Sequence, residues 1–181
     1  MKYYARLKRK SYAPHLIAYS WAGRYCYGKK VLDIGAGEGH GGIIISLFAK
    51  KLTLVDIEES NAGYQKKNTY FCPTEFVTQN LEQTPISADY DICTAFEVLE
   101  HLENPEYVLE QVSKTGKELV FSLPHNAPSR YHKQVYKSQN EVEELFKPYF
   151  DVDWFQMRKY TIQQGRFDVP HRYMGICTPK K

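Results

Sequence analysis

A glycine-rich turn between two apolar stretches is the feature that most restricts the fold of this chain. The first stretch, residues 31–34 (Val-Leu-Asp-Ile), is followed by glycines at 35, 37 and 39, and the second lies within residues 40–50. A strand cannot return beside its neighbour in two residues, so the glycines predict that the second stretch is a helix. A strand that enters a helix through glycines is typical of a parallel sheet, in which ligands bind where the strands end.

The alternation of strands and helices continues along the chain. Further strands are predicted at 52–56, 76–77, 91–95, 119–122, 150–155 and 172–178, and further helices at 59–68, 105–113 and 138–147. Strands joined by helices form right-handed parallel units. The last two strands are joined by residues 156–171 without a helix, so we expect them to be antiparallel.

Length and composition indicate one main domain with a short extension. The chain has 181 residues, of which 25% are charged and 43% are hydrophobic, as is ordinary for a globular protein. Its net charge of +3 is a local property, because residues 1–10 alone carry five basic side chains and no acid. We therefore divide the chain into residues 1–28, a helical and basic segment expected to cover the active site, and the main domain, residues 29–181.

Neither the cysteines nor the apolar runs suggest an oxidising compartment or a membrane. The four cysteines are far apart and form no CxxC pair, which argues against a disulfide framework and a zinc site. No apolar run approaches the ~20 residues that a membrane span needs, and no apolar segment follows the basic N-terminus. We expect a cytoplasmic protein without membrane association, and the sequence leaves its oligomeric state open.

Two acids indicate what kind of ligand binds at the strand ends. Asp56 ends the second predicted strand, where a carboxylate can accept both hydroxyls of a ribose. Asp33 lies inside the first strand, where enzymes that bind dinucleotides usually have an apolar residue. A carboxylate there can receive the ammonium group of an amino-acid-bearing nucleoside. Asp33 and the absence of a clean GxGxxG pattern therefore disfavour a dehydrogenase.

Residues 31–39 and 52–56 resemble the first two motifs of the class I S-adenosylmethionine-dependent methyltransferases. The resemblance continues through Asp89-Tyr90-Asp91-Ile92 and Phe96-Glu97-Val98-Leu99-Glu100-His101-Leu102, and it covers roughly residues 20–160. It implies S-adenosylmethionine as cofactor. It also implies an α/β fold with a Rossmann-like seven-stranded, mostly parallel sheet, helices on both faces and an antiparallel last strand, in agreement with the alternation above.

The resemblance also implies which residues contact the cofactor. Residues matching the family's motifs are Asp33, Gly35, Ala36 and Gly37 at the methionine part, Asp56 at the ribose, Ile57 against the adenine, Asn80 and Leu81 after the third strand, and Phe96 after the fourth. Asn80 stands where the family often has an acid. Its amide oxygen can accept the same hydrogen bond from the adenine amine.

A cluster of acids and histidine follows the fourth strand. Glu97, Glu100 and His101 have the spacing that places three side chains on one face of a helix. They could bind Mg²⁺ or Mn²⁺, His101 could act as general base, or the cluster could be structural. Similar segments occur in ubiquinone-pathway O-methyltransferases and in small-RNA 3′-terminal 2′-O-methyltransferases. The latter add a histidine ligand, for which His132 and His125 are the candidates.

The resemblance implies methyl transfer to an oxygen or nitrogen of a small polar acceptor, such as a sugar, a nucleotide sugar or a metabolite. Two alternatives stay open: a metal-assisted 2′-O-methyltransferase acting on an RNA end, and a catalytically inactive accessory protein that binds the cofactor. We expect Glu97, Glu100, His101 and His132 to be catalytic. The acceptor is expected to contact the N-terminal segment, residues 123–137 and residues 158–173, where basic and aromatic side chains mix; the candidates are His125, Arg130 and Tyr131.

Overall fold

Strands and helices alternate in the computed structural model, which describes residues 12–87, 89–166 and 170–181. The helices are α1 (Tyr12–Cys26), α2 (His40–Ser46), α3 (Glu59–Gln65), α4 (Pro105–Lys114) and α5 (Gln139–Phe146). The strands are β1 (Lys30–Ile34), β2 (Lys51–Asp56), β3 (Thr74–Thr78), β4 (Ile92–Phe96), β5 (Glu118–Pro124), β6 (Phe150–Arg158), β7 (Thr161–Gln164) and β8 (Arg172–Pro179). Among the described residues, no helix is both long and apolar enough to span a bilayer.

All the strands join one sheet, in the order β3-β2-β1-β4-β5-β8-β6-β7. Strands β1 to β5 pair in parallel, whereas β8 runs antiparallel between β5 and β6. The expected Rossmann-like α/β fold with an antiparallel last strand is confirmed. The strand order reverses at β1, which has β2 on one side and β4 on the other, so a crevice forms where these strands end.

The predicted number of seven strands is wrong, because the described residues form eight. The additional strand, β7, lies within the predicted 156–171 connection and pairs antiparallel with the end of β6. Only four residues long and half glutamine (Thr-Ile-Gln-Gln), it lacks the apolar run from which strands were predicted. In the turn before β7, Lys159 has φ 54°, a left-handed conformation. Because this position is a lysine rather than a glycine, the sequence did not indicate a turn there.

Helix α1 packs closely on α2 through a tyrosine and a glycine. Tyr19 is buried, and a Cβ atom on Gly41 would lie 2.1 Å from Cζ of its ring. The Tyr19 ring also lies 4.5 Å from that of Phe96 at the end of β4. The helix expected within residues 1–28 is therefore present from residue 12, and it lies beside the first turn of the helix that follows the glycines. Residues 1–11 of that segment lie outside the described residues.

Replacing Gly41 by alanine is expected to destabilise the fold. The new methyl group overlaps the Tyr19 ring, and such overpacking costs about 1–3 kcal/mol. Gly63→Ala in α3 is the matched control, because its Cβ atom would meet no atom within 4 Å and alanine favours the helix by about 1 kcal/mol. Denaturant unfolding measures both free energies, and equal stability of the two variants would contradict the close packing of α1 on α2.

Candidate functional site

A cleft of about 510 Å³ opens at the ends of β1, β2 and β4. Its volume lies in the range of sites for small molecules and cofactors. Seven of the site residues predicted from the sequence line it: Gly35, Asp56, Ile57, Asn80, Leu81, Glu97 and His101. The sheet topology thus brings residues from four separate chain segments to one opening.

The glycine turn between β1 and α2 is folded against the end of β2. Gly35 has φ 65° and Gly37 has φ 54°, a left-handed conformation that costs glycine little. A side chain at Gly35 would also clash with Val98, because its Cβ atom would lie 2.4 Å from Cγ2 of that residue. The backbone N–H of Gly37 donates to Asp56 Oδ2 at 2.7 Å.

The Asp56 carboxylate joins the glycine turn to the start of α3. Besides the Gly37 bond, Oδ1 accepts from the backbone N–H of Glu58 and from Nδ2 of Asn61, both at 2.9 Å. A carboxylate offers about four acceptor positions, so three are in use and one remains on Oδ2. One ribose hydroxyl fits without displacing a resident donor. A second ribose hydroxyl can bind only if it displaces one of these three donors. One of them, Asn61, was not predicted from the sequence.

An apolar part of the cleft lies beside Asp56. Ile57 is 61% exposed at its lip, and Leu81 is buried in its wall. Oδ1 of Asn80 accepts from the backbone N–H of Glu82 at 3.0 Å, which fixes the amide. The second acceptor position of that oxygen remains for a ligand amine.

Asp33 and Phe96 lie behind the glycine turn rather than in the cleft wall, and both are buried. Thr94 Oγ1 donates to Asp33 Oδ1 at 2.6 Å, and the Tyr19 hydroxyl lies 3.2 and 3.3 Å from the two carboxylate oxygens. Burial raises the pKa of Asp33 to about 7, although both hydrogen bonds act in the opposite direction. The carboxyl group predicted to meet an ammonium group therefore joins β1 to β4 and α1. Ala36, also buried, donates its N–H to the Val55 carbonyl.

The Glu-x-x-Glu-His segment forms a single 3₁₀ turn, Leu99–His101, rather than an α-helix. Oxygen and nitrogen atoms of Glu100, His101 and His132 nevertheless lie within 4.8 Å of one another, and we call these three residues the Glu-His cluster. Glu100 Oε1 is 3.8 Å from His101 Nε2, which is too long for a hydrogen bond. Chain segments thirty residues apart therefore meet at the mouth of the cleft.

Both histidines of the cluster are held by backbone carbonyls. His101 Nδ1 lies 3.0 Å from the Tyr131 carbonyl oxygen, and His132 Nδ1 lies 2.6 Å from that of Ala127. A carbonyl oxygen only accepts, so in each ring Nδ1 carries the proton and Nε2 keeps its lone pair. Each histidine can therefore bind a cation or take up a proton through Nε2.

Glu100 is buried and lacks a partner for one of its oxygens. Its side chain is 1% exposed, and Oε2 has no hydrogen-bond donor. Burial raises the pKa of Glu100 to about 9, and the nearby carboxylate of Glu97 contributes. A buried carboxyl group with one unpartnered oxygen, clustered with two imidazole rings, fits a divalent cation, which carboxylate and imidazole ligands bind.

Glu97 is held apart from this cluster, so three of the four predicted metal ligands come together. Its Oε1 accepts from Ser122 Oγ at 3.1 Å and lies 3.1 Å from Arg172 Nε. The residue has φ 55°, a conformation uncommon without glycine, which is often found at functional sites. Glu97 lines the cleft at the point where β4, β5 and β8 meet.

The loop predicted to hold the acceptor lies over the Glu-His cluster. The Glu100 carbonyl accepts from the N–H groups of Lys133 and Gln134 at 2.7 and 3.0 Å. The guanidinium of Arg130 stacks on the ring of Tyr131, which is 60% exposed. His125, at the other end of the loop, pairs through Nδ1 with the Tyr173 hydroxyl. Of these candidates, Tyr131 is tied directly to the cluster through its carbonyl.

Comparison with known proteins bears on the chemistry of this cleft. Residues 5–161 match a family model described as a methyltransferase domain. The mitochondrial ubiquinone biosynthesis O-methyltransferase of Schizosaccharomyces pombe is 29% identical in an alignment of length 120 that covers 59% of this chain and 43% of that protein. The ubiquinone biosynthesis O-methyltransferase of Salmonella arizonae is 28% identical in an alignment of length 148 that covers 71% of this chain and 60% of that protein. The chain thus spans less than two thirds of either relative.

A solved structure of the same architecture contains a cofactor product. Magnesium protoporphyrin IX methyltransferase of Synechocystis, with bound S-adenosylhomocysteine, superposes with a TM-score of 0.69 at 16% identity. The match covers 94% of this chain and 83% of that one. At this identity the likeness shows the fold alone.

The buried carboxyl group of Asp33 is expected to make stability depend on pH. Between the ordinary carboxyl pKa and about 7, the folded protein keeps a proton that the unfolded chain releases, so stability falls as the pH rises through that window. Asp33→Asn imitates the protonated acid and removes this dependence. In denaturant unfolding between pH 4 and 8, wild type should lose stability relative to the variant, by at most about 1.4 kcal/mol per pH unit. Parallel curves would show that Asp33 is ionised throughout.

Proposed function

The chain belongs to the methyltransferase domain family, and on this premise we propose that it is an S-adenosylmethionine-dependent enzyme that methylates an oxygen atom of a small polar acceptor. The observation that carries the proposal is the Glu-His cluster beside the cleft. A nitrogen acceptor needs only orientation, whereas a hydroxyl must lose a proton as it is methylated. A cluster with two free imidazole lone pairs supplies what an oxygen acceptor requires.

The cofactor is proposed to lie in the cleft with its ribose at Asp56. Gly35 and Gly37 let the backbone approach the methionine part, while Ile57 and Leu81 flank the adenine and Asn80 accepts from its amine. Asp33, Ala36 and Phe96 contribute from behind the turn, by holding β1, β4 and α1 in register. The basic segment of residues 1–28 is proposed to cover the acceptor side through α1.

The methyl donor supplies a reactive sulfonium when bound, so this chain has to position the acceptor and take its proton. His101 Nε2, at the cleft wall, is placed to accept the hydroxyl proton. The Tyr131 carbonyl holds the ring and accepts from Nδ1–H throughout, which stabilises the imidazolium that forms. His125, Arg130 and Tyr131 are proposed to contact the rest of the acceptor.

A second candidate is a metal-assisted reaction, favoured by the unpartnered Glu100 oxygen. Glu100 and His101, whose Oε1 and Nε2 atoms lie 3.8 Å apart, would hold such an ion together with His132. Mg²⁺ or Mn²⁺ at the Glu-His cluster would lower the pKa of an acceptor hydroxyl. The RNA-end reaction uses the same groups, and labelled methyl transfer to sugars, nucleotides, phenols and short RNA separates the acceptor classes.

Binding of S-adenosylhomocysteine tests the cofactor assignment. Asp56→Ala removes the ribose acceptor and the partner of the Gly37 N–H, and should weaken binding about tenfold to a hundredfold. Asp151→Ala is the control, since that carboxylate is 79% exposed on β6. Calorimetry measures both affinities. Wild type that binds NADH but not S-adenosylhomocysteine would overturn the proposed function, and unchanged affinity in Asp56→Ala would overturn the ribose assignment.

Removal of divalent metal distinguishes the two routes to the oxygen acceptor. If the Glu-His cluster binds a cation, Glu100→Gln should weaken Mn²⁺ binding by at least about tenfold and a chelator should abolish turnover. Glu103→Gln removes an exposed acid three residues away that pairs with Lys133, and should change neither. Full activity in chelator together with absent Mn²⁺ binding would leave His101 as a base without metal.

A further inference from the structure

Arg172 is a largely buried cation whose guanidinium donates no hydrogen bond to a residue that the structure describes. It begins β8, and its side chain is 16% exposed. Its Nε lies 3.1 Å from Glu97 Oε1, but the N–H is not aligned for a hydrogen bond, and Nε has no partner. No hydrogen bond from its guanidinium to any described residue is present. Buried donors in folded proteins have partners, so the unpartnered Nε requires an explanation. The other four N–H donors of the guanidinium lie on its two Nη groups.

Arg172 lies on the side of the cleft where the acceptor is proposed to bind. Its Cα pairs with that of Pro124 at the end of β5, while Glu97 at the end of β4 lines the cleft itself. His125 follows Pro124 directly, and Ser122 of β5 donates to the same Glu97 oxygen. Arg172 therefore stands at the edge where the parallel strands end, on the β5 side of the glycine turn.

Charge around Arg172 is nearly balanced when no ligand is present. Glu97 supplies one negative charge. His15 of α1 is neutral near pH 7, because burial, with Arg172 contributing, lowers the pKa of its ring to about 4. Of these groups, Arg172 carries the permanent positive charge, and Glu97 is its counter-ion.

The guanidinium of Arg172 has N–H donors that Glu97 does not use. Glu97 lies beside Nε, on one edge of the planar group, and neither Nη group donates a hydrogen bond to it. The two Nη groups present parallel N–H donors whose spacing matches two oxygens of a carboxylate or a phosphate. Ser122 donates to the same Glu97 Oε1 atom and so helps to fix the carboxylate beside Arg172.

We propose that Arg172 binds a carboxylate or phosphate group of a small methyl acceptor, with Glu97 as its counter-ion in the free enzyme. This proposal rests on the proposed function, because it assigns the acceptor side of the same cleft. It narrows the acceptor to an anionic molecule, such as a hydroxy acid or a sugar phosphate, that presents a hydroxyl to the Glu-His cluster.

Anion binding to the enzyme saturated with S-adenosylhomocysteine tests the assignment, with inorganic phosphate and acetate as probes. We expect wild type to bind at least one probe, Arg172→Gln to lose about tenfold or more in affinity, and Arg172→Lys to recover part of it. Arg166→Gln is the matched control, since Arg166 pairs with Glu143 and is 60% exposed. Glu97→Gln removes the counter-ion and should bind the probe several-fold more tightly.

Four results would overturn the proposal. The first is that wild type binds neither probe, and the second is that wild type and Arg172→Gln bind the probe equally well. The third is that Glu97→Gln binds the probe more weakly than wild type does. The fourth is that Arg172→Gln no longer binds S-adenosylhomocysteine but still binds 5′-methylthioadenosine. The last would assign Arg172 to the carboxylate of the cofactor.

Undiminished S-adenosylhomocysteine binding in Arg172→Gln shows that the variant is folded and that the methyltransferase assignment stands, whatever the anion probes show. Tight, salt-sensitive binding of short RNA that depends on Arg172 would replace the small acceptor by an RNA end.

Discussion

The buried contact between Tyr19 and Asp33 is the interaction on which the geometry of this protein depends. Asp33 lies in the central strand, and its carboxyl group accepts from the residue opposite it on β4, Thr94, and from Tyr19 of α1. The Tyr19 ring covers the bare backbone of Gly41 at the start of α2. Four elements therefore meet at one polar group without access to water. This group fixes both ends of the glycine turn, because the turn connects the strand that carries Asp33 to the helix that Tyr19 covers.

Much of the fold follows from local rules that the sequence obeys. Apolar runs bounded by glycine or polar residues identify the parallel strands, and chain order then places Asp56 and Ile57 at the cleft, because residues that directly follow parallel strands meet at one edge. The capping position of Ser138 is similarly local: its Oγ accepts from the Glu141 N–H at the start of α5. Strand β7 escapes these rules, since its polar residues pair with β6 through backbone bonds that no side-chain pattern records.

The site depends more on contacts between distant segments, which sequence spacing does not encode. The spacing of Glu97, Glu100 and His101 suggested one helical face, but the 3₁₀ turn and the left-handed Glu97 separate the two acids. Glu97 then pairs with a residue 75 positions later in the chain. Asp33 illustrates the same limit: its place in the strand was evident, whereas its burial under Tyr19 required knowing where α1 packs. Nothing in the spacing around Tyr19 indicated that it would reach the sheet.

The electrostatics of the acceptor side connect the two proposals made for it. Near neutral pH, burial keeps Glu100 and His15 uncharged, so the Glu97–Arg172 pair dominates the local field. A divalent cation at the Glu-His cluster would ionise Glu100 and still add net positive charge to this side of the cleft. Because coupling between two binding sites is reciprocal, an anion held by Arg172 would then favour the cation by the same factor by which the cation favours the anion. Acceptor capture and activation of its hydroxyl would thus be linked through charge alone.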